Sequence, residues 1–174
     1  MDVQNYLSEI KNLVGENKVV TDPAQLKVAD GFNRDYEKSF GVCMTVPPFA
    51  IVFAEGVDDV VKVLTYCNKN KINVITRAGA SSAEGLLEAR EEGSIVLDCT
   101  KMDKLIELDT YNMMATVQCG YPLEKLEKIA NEHGLTTGHS PQSRPLALIG
   151  GLVATRSIGQ FSTYYGGIED MVCG

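Results

Sequence analysis

A chain of 174 residues with 44% apolar side chains has room for one domain, or for two small subdomains that share a core. Its 16 Lys and Arg against 23 Asp and Glu leave a net charge of -7, which argues against nucleic acid or an anionic membrane as the main partner. The chain contains no apolar run near the roughly 18 residues of a membrane span and opens without a basic-then-apolar leader, so a cytoplasmic location is expected.

Five cysteines, Cys43, Cys67, Cys99, Cys119 and Cys173, are widely spaced and never form C-x-x-C, which suggests neither a disulfide framework nor a zinc site. With only His133 and His139 beside them, no metal is expected.

Taken in order, Val3, Tyr6, Leu7, Ile10, Leu13 and Val14 recur on one helical face, with Asp2 placed to cap the start and Gly15 to end the helix. Lys18, Val19 and Val20 suit a short strand, and Thr21-Asp22-Pro23 starts a brief helical turn. Residues 31–40 are polar and read as a surface loop. Residues 1–46 thus form an N-terminal, mainly helical segment.

From Pro47 the pattern tightens. Pro47 and Pro48 forbid helix, residues 49–54 form a buried strand, and Val57, Val60, Val61, Leu64 and Cys67 follow at helical spacing. A second strand at Val74, Ile75 and Thr76 completes a strand, helix, strand unit of the length a parallel crossover requires. That strand delivers the chain into a loop of small residues, Arg77-Ala78-Gly79-Ala80-Ser81-Ser82, extending to Gly85. Small side chains leave backbone N–H groups uncovered, so the loop can cradle an anionic group, and ligands collect at the C-terminal ends of such strands.

The runs 94–98, 105–109 and 113–118 are short and β-rich, with a turn at residues 109–112, and an antiparallel pair is expected there. Gly120 and Pro122 introduce a helix carrying Leu123, Leu126, Ile129 and Ala130 inward, which Gly134 ends after His133. A second unusual stretch follows: Gly138-His139-Ser140-Pro141-Gln142-Ser143, then Ala147 to Thr155 with Gly150 and Gly151 inside an apolar run, then Tyr164-Tyr165-Gly166-Gly167. A Gly-Gly pair is costly in a regular element, so close approach of the backbone to a ligand or to another segment is expected.

Neither glycine-rich stretch is a G-x-G-x-x-G or Walker fingerprint. Their order and separation, together with Ile95-Val96-Leu97-Asp98, Ala115-Thr116-Val117-Gln118-Cys119-Gly120 and His133-Gly134-Leu135, resemble the FAD-binding domain of the vanillyl-alcohol oxidase / p-cresol methylhydroxylase (PCMH) flavoprotein superfamily from Pro47 onward. Within it the chain is most similar to the D-lactate and glycolate dehydrogenase branch and to alkyl-dihydroxyacetone-phosphate synthase. The resemblance implies an α+β, PCMH-type fold over residues 47–174: a small parallel βαβ subdomain near 47–100, then a mixed or antiparallel sheet subdomain with helices near 101–174.

It also implies FAD, with the pyrophosphate on the backbone of Ala78, Gly79, Ala80, Ser81 and Ser82 beside Arg77. Pro141, Ser143, Gly150, Gly151 and Thr155 would lie along the flavin and its tail, near Tyr165 and Gly166. Flavin-linking relatives carry a His in the first loop; this loop has none, and His139 is a weak alternative anchor, so non-covalent FAD is expected. The implied parent activity is oxidation of a small 2-hydroxy acid or similar alcohol, the alternatives being a synthase-like reaction or a non-catalytic FAD-binding module completed by a partner chain. No catalytic base can be named. Arg156, Tyr164 and Tyr165 are the local candidates for facing the flavin, against roles in a surface salt bridge or in packing. Because family members continue with further strands and a substrate domain, whereas residues 171–174 read as the start of an apolar strand, a fragment or a subunit completed by another chain is expected.

Overall fold

The computed structural model describes residues 2–28, 46–82, 86–87, 89 and 91–174. The expected loop at 31–40, Cys43, and residues 83–85 of the small-residue loop lie outside the described residues. The chain divides into two units, Met1–Arg77 with Ser82–Lys101, and Ala78–Ser81 with Met102–Gly174.

In the first unit, helix α1 (Val3–Val14) starts at Asp2, whose carboxylate accepts the Asn5 N–H, and ends at Gly15 with φ 102°. Strand β1 (Val19–Val20) and helix α2 (Pro23–Val28) follow. Strand β2 (Ala50–Phe53), helix α3 (Val57–Asn70), strand β3 (Asn73–Arg77) and strand β4 (Ser94–Asp98) complete the unit. The N-terminal segment is therefore not only helical. It adds β1 antiparallel to β2, and the sheet order is β1-β2-β4-β3, with β4 parallel to both neighbours.

The expected strand, helix, strand crossover is present, but its two strands are not neighbours, because β4 lies between them. All five residues of β4 are buried, as suits a central parallel strand covered on both faces. Ile51, Val96 and Ile75 stand in register across three strands and pack with Leu26 and Ala89. On the alternating positions Val52, Ile95 and Leu97 are equally buried.

Helix α3 corrects the sequence reading. Val57, Val61 and Leu64, expected inward, are 67%, 55% and 41% exposed, while Asp59, Val63 and Cys67 are buried. The helix has rotated its contact stripe onto an acidic residue because that residue is fully engaged. The Asp59 carboxylate accepts the Glu55 N–H at 3.0 Å and pairs with Lys18 at 2.8 Å, fastening the start of α3 to the residue before β1. Burial would raise the Asp59 carboxyl, but Lys18 and the Glu55 N–H hold it below its ordinary 3.8. Cys67 has no such partner, and burial pushes its thiol up to about 11, which keeps it protonated and unreactive.

In the second unit, strands β5 (Leu105–Asp109) and β6 (Met114–Val117) form the expected antiparallel pair. Asp109 builds the turn, its carboxylate accepting the backbone N–H groups of Tyr111 and Asn112. Helix α4 (Leu123–Glu132) follows Pro122 and ends before Gly134, whose φ is 72°. Three short helices complete the unit: α5 (Ile149–Ala154), α6 (Ser162–Tyr165) and α7 (Ile168–Met171). Its core joins Leu123, Ala147, Leu152 and Ile168. Met171, where an apolar strand was expected to begin, instead ends α7, whose first turn is closed by the Gly167 N–H donating to the Asp170 carboxylate; Val172 after it is extended, but residues 171–174 form no strand.

The buried stripe of α3 gives a direct contrast. Val63→Ala should destabilise by about 2 kcal/mol, whereas Val61→Ala should stay within about 0.5 kcal/mol of the parent chain in urea unfolding.

Candidate functional site

The small-residue loop and the second glycine-rich stretch meet inside the second unit. A Cβ on Gly79 would overlap the Leu146 carbonyl oxygen and come within 3.0 Å of the Leu148 nitrogen. Gly79 is thus required by its neighbours in the chain, a cause the sequence reading did not contain. The segment it touches is itself pinned: Ser143 accepts the Leu146 and Ala147 N–H groups, and Ala147 accepts that of Leu123. Residues 119–123 and 147–150 run side by side, through Ile149 N–H to Tyr121, Gly150 N–H to Cys119 and a bridge between Pro122 and Leu148.

The Gly150, Gly151 pair occupies the first turn of α5, and the expected close approach of the backbone to another segment is found at Gly150. The two glycines differ in cause. At Gly150 a Cβ would stand 2.6 Å from the Cys119 Cβ and 2.9 Å from its carbonyl oxygen, so the helix needs glycine to lie against Cys119. At Gly151 the Cβ position meets only the Ala78 Cβ, at 3.6 Å, an ordinary contact. Packing does not demand glycine there, and the space beside Ala78 is left clear.

The N–H groups of Ala78, Gly79, Ala80 and Ser81 have no acceptor among the described residues, and neither has that of Gly151. Residues 78–81 and Gly151 are all half-buried, where an unmet N–H is costly unless water or a ligand takes it. Ala80 has φ 51°, a left-handed conformation uncommon for a residue with a side chain. Successive backbone N–H groups on either side of a left-handed residue can form a concave site for an anion.

The other expected site residues are placed as follows. Arg77 and Ser82 belong to the first unit. Nη1 of Arg77 lies 3.5 Å from the Asp98 carboxylate, while its Nε is buried with no acceptor among the described residues. Pro141 and Ser143 frame the turn that leads to Leu146. The Thr155 hydroxyl donates to the Gly151 carbonyl at 2.9 Å, so it braces α5. Tyr165 is 43% exposed and its ring covers Gly138, where a Cβ would stand 2.7 Å from it. Gly166 has φ 85°, and a side chain there would meet Asp170. Arg156, exposed with φ 49°, is the left-handed residue that closes α5, the Ser157 N–H reaching back to the Leu152 carbonyl. Tyr164 is 86% exposed and sets its ring edge-on to Tyr165 at 4.8 Å.

Two residues carry more of the site than the sequence suggested. Glu127 on α4 accepts the Thr136 hydroxyl at 2.8 Å and both the backbone N–H and the hydroxyl of Thr137, at 2.9 and 2.6 Å. It thereby fixes the chain as it enters Gly138. Burial acts to raise its carboxyl, but the Thr137 and Thr136 bonds prevail and hold it below the ordinary 4.5. His139 is 2% exposed, and neither ring nitrogen has a partner among the described residues. Burial pushes its imidazole below the ordinary 6.5 against an opposing pull from Glu169, so the ring is neutral at pH 7.

The family described as "FAD binding domain" matches residues 48–174. The chain belongs to this family of FAD-binding domains. Its cofactor is FAD, and the free backbone donors and the cleared space at Gly151 suit that cofactor's anionic pyrophosphate. The FAD-binding domain is 50% identical over 170 residues to the "Uncharacterized FAD-linked oxidoreductase YgcU" of Escherichia coli K12, covering 97% of this chain and 35% of that protein. It is 33% identical to a mitochondrial D-lactate dehydrogenase [cytochrome] of Kluyveromyces lactis, over 95% of this chain and 29% of the relative. Among solved structures, an alkyldihydroxyacetonephosphate synthase superposes with a TM-score of 0.83 at 27% identity, over 96% of this chain and 34% of that one. The α+β, PCMH-type fold expected from the resemblance is the fold of these neighbours. The chain spans about a third of the length of the curated relatives it matches.

The two adjacent glycines should separate cleanly in folding. Gly150→Ala should cost about 1–3 kcal/mol through overpacking on Cys119, while Gly151→Ala should be neutral or stabilising by up to about 1 kcal/mol, read from thermal unfolding without cofactor.

Proposed function

We propose that the backbone of Ala78, Gly79, Ala80, Ser81 and Gly151 receives the pyrophosphate of non-covalently bound FAD, in a flavin-dependent oxidoreductase that acts on a small 2-hydroxy acid or similar alcohol. The observation that carries this reading is the set of N–H donors at residues 78–81 without acceptors among the described residues, with Ala78 beside a glycine, Gly151, that packing does not require. An acidic protein gains most from such a cradle, because backbone dipoles supply the positive potential that its net charge of -7 does not. Bound flavin supplies the hydride acceptor, and the chain's contribution is to hold it, orient it and exclude water around it. In this reading Pro141, Ser143, Thr155, Tyr165 and Gly166 shape the wall of the site within the same unit.

The 2-hydroxy acid is supported by the 33% identity to a D-lactate dehydrogenase. A synthase-like reaction on a phosphate-bearing lipid precursor is a second reading, favoured by the 0.83 TM-score to an alkyldihydroxyacetonephosphate synthase. In both, substrate contacts come largely from residues outside this chain, supplied by a further domain or a partner chain. A cytoplasmic location is part of the proposal, supported by the acidic composition; among the described residues no helix is long and apolar enough to cross a membrane.

Purified protein should be yellow, or turn yellow with added FAD, and release the flavin on denaturation. Gly151→Val should weaken FAD binding at least about tenfold while far-UV circular dichroism stays unchanged. Unchanged affinity in the folded variant would place the pyrophosphate elsewhere, and bleaching of bound flavin by a D-2-hydroxy acid would separate the dehydrogenase reading from the synthase reading.

A further inference from the structure

Helix α3 carries two apolar stripes, and among the described residues the first unit covers only one of them. The inward stripe is held from three directions: Val63 is fully buried, the Asp59 carboxylate pairs with Lys18 at 2.8 Å, and the ring of Tyr66 stands edge-on to Tyr6 of α1 at 6.4 Å. The other stripe, Val57, Val61 and Leu64 with Asn68 after them, recurs at helical spacing and is exposed along its length. The helix cannot roll to bury it, because rolling would break the Asp59 pair and expose Val63 and Cys67. Nothing among the described residues stands over the start of the helix either: a Cβ built on Gly56 would meet no atom within 4 Å.

An apolar stripe on the outside of a helix fixed in this way marks a contact surface. The charges beside it select the partner. Asp58, Lys62, Thr65 and Lys69 are exposed along one flank of the stripe, with the acid in the first turn of the helix and the lysines after it. That order is self-complementary when two copies meet antiparallel. A two-fold axis between Val61 and Leu64 sets Val61 against the partner's Leu64 and Val57 against the partner's Asn68, and it brings each Asp58 within reach of the partner's Lys69. A parallel pairing would set Asp58 beside Asp58 and lysine beside lysine, a like-charge arrangement that costs affinity.

We propose that the outer face of α3 is the contact surface of a homodimer, in which Val57, Val61 and Leu64 of two chains pack antiparallel and Asp58 of each chain pairs with Lys69 of the other. Three apolar side chains per copy, flanked by solvent-exposed ion pairs that each add little, make a weak interface with a Kd on the order of 10–100 μM. The chain is then mostly monomeric at the low micromolar concentrations of an unfolding experiment and mostly dimeric at several hundred micromolar.

Sedimentation equilibrium of the 174-residue chain as purified, from about 1 to about 500 μM, tests this. The expected result is a reversible monomer–dimer equilibrium that weakens at high salt. Val61→Glu should raise the dimer Kd at least about tenfold while leaving the melting temperature of the dilute chain unchanged, since Val61 is exposed in the monomer. Asp58→Lys and Lys69→Asp should each weaken the dimer about threefold to tenfold, and the two changes together should restore it, because the ion pairs re-form with their signs exchanged. A chain that stays monomeric over the whole range overturns the proposal. So does a dimer that Val61→Glu leaves intact, which would locate self-association elsewhere on the molecule. A double variant that dimerises no more tightly than the single ones excludes the antiparallel arrangement and overturns it as well.

Discussion

The second unit depends on how closely the backbone at Gly79 approaches the backbone at Leu146 and Leu148. No side chain fits between them. That contact seats residues 78–81 against a segment already fixed on two sides, by the Tyr121 and Cys119 carbonyls and by the turn at Ser143. The N–H groups of residues 78–81 have no acceptor among the described residues, and Ala80 has a left-handed φ of 51°. In the proposed reading the cradle is a by-product of packing: the chain is held so close at Gly79 that donors of residues 78–81 are left without acceptors among the described residues. Leaving several half-buried donors unmet costs stability, and a bound anion returns it.

The same logic separates the glycines. Gly79 and Gly150 are needed so that two segments can touch, and their effect on a ligand is indirect. At Gly151 a Cβ would meet only the Ala78 Cβ among the described residues, so packing does not require glycine there, and the proposed pyrophosphate contact is what would. Thr155 belongs with the structural group, since its hydroxyl is spent on the Gly151 carbonyl.

Much of this was legible in the sequence because local rules agreed with the tertiary outcome. Asp2 and Gly15 bound α1, Asp109 made the hairpin turn, and Pro122 and Gly134 bracketed α4, each by chemistry within a few residues. What was not legible depended on partners far along the chain. The rotation of α3 onto Asp59 required Lys18, which lies in another element. The position of β4 between β2 and β3 follows from strand pairing that hydrophobic runs do not encode. The two glycine-rich stretches announced a site, but which glycine served packing could be read only once Cys119 and Leu146 were in place. His139 was singled out in the sequence only as an alternative flavin anchor; its burial without a partner among the described residues is a property of the folded chain.

The central claim is that the free backbone donors of residues 78–81 and Gly151 receive the cofactor's pyrophosphate. Amide chemical shifts of the 15N-labelled chain during FAD titration test it most directly. The N–H resonances of Ala78, Gly79, Ala80, Ser81 and Gly151 should move together, downfield in the proton dimension as they gain an anionic acceptor, and saturate at one FAD per chain. Resonances that stay fixed at these five positions while others follow FAD binding would contradict it.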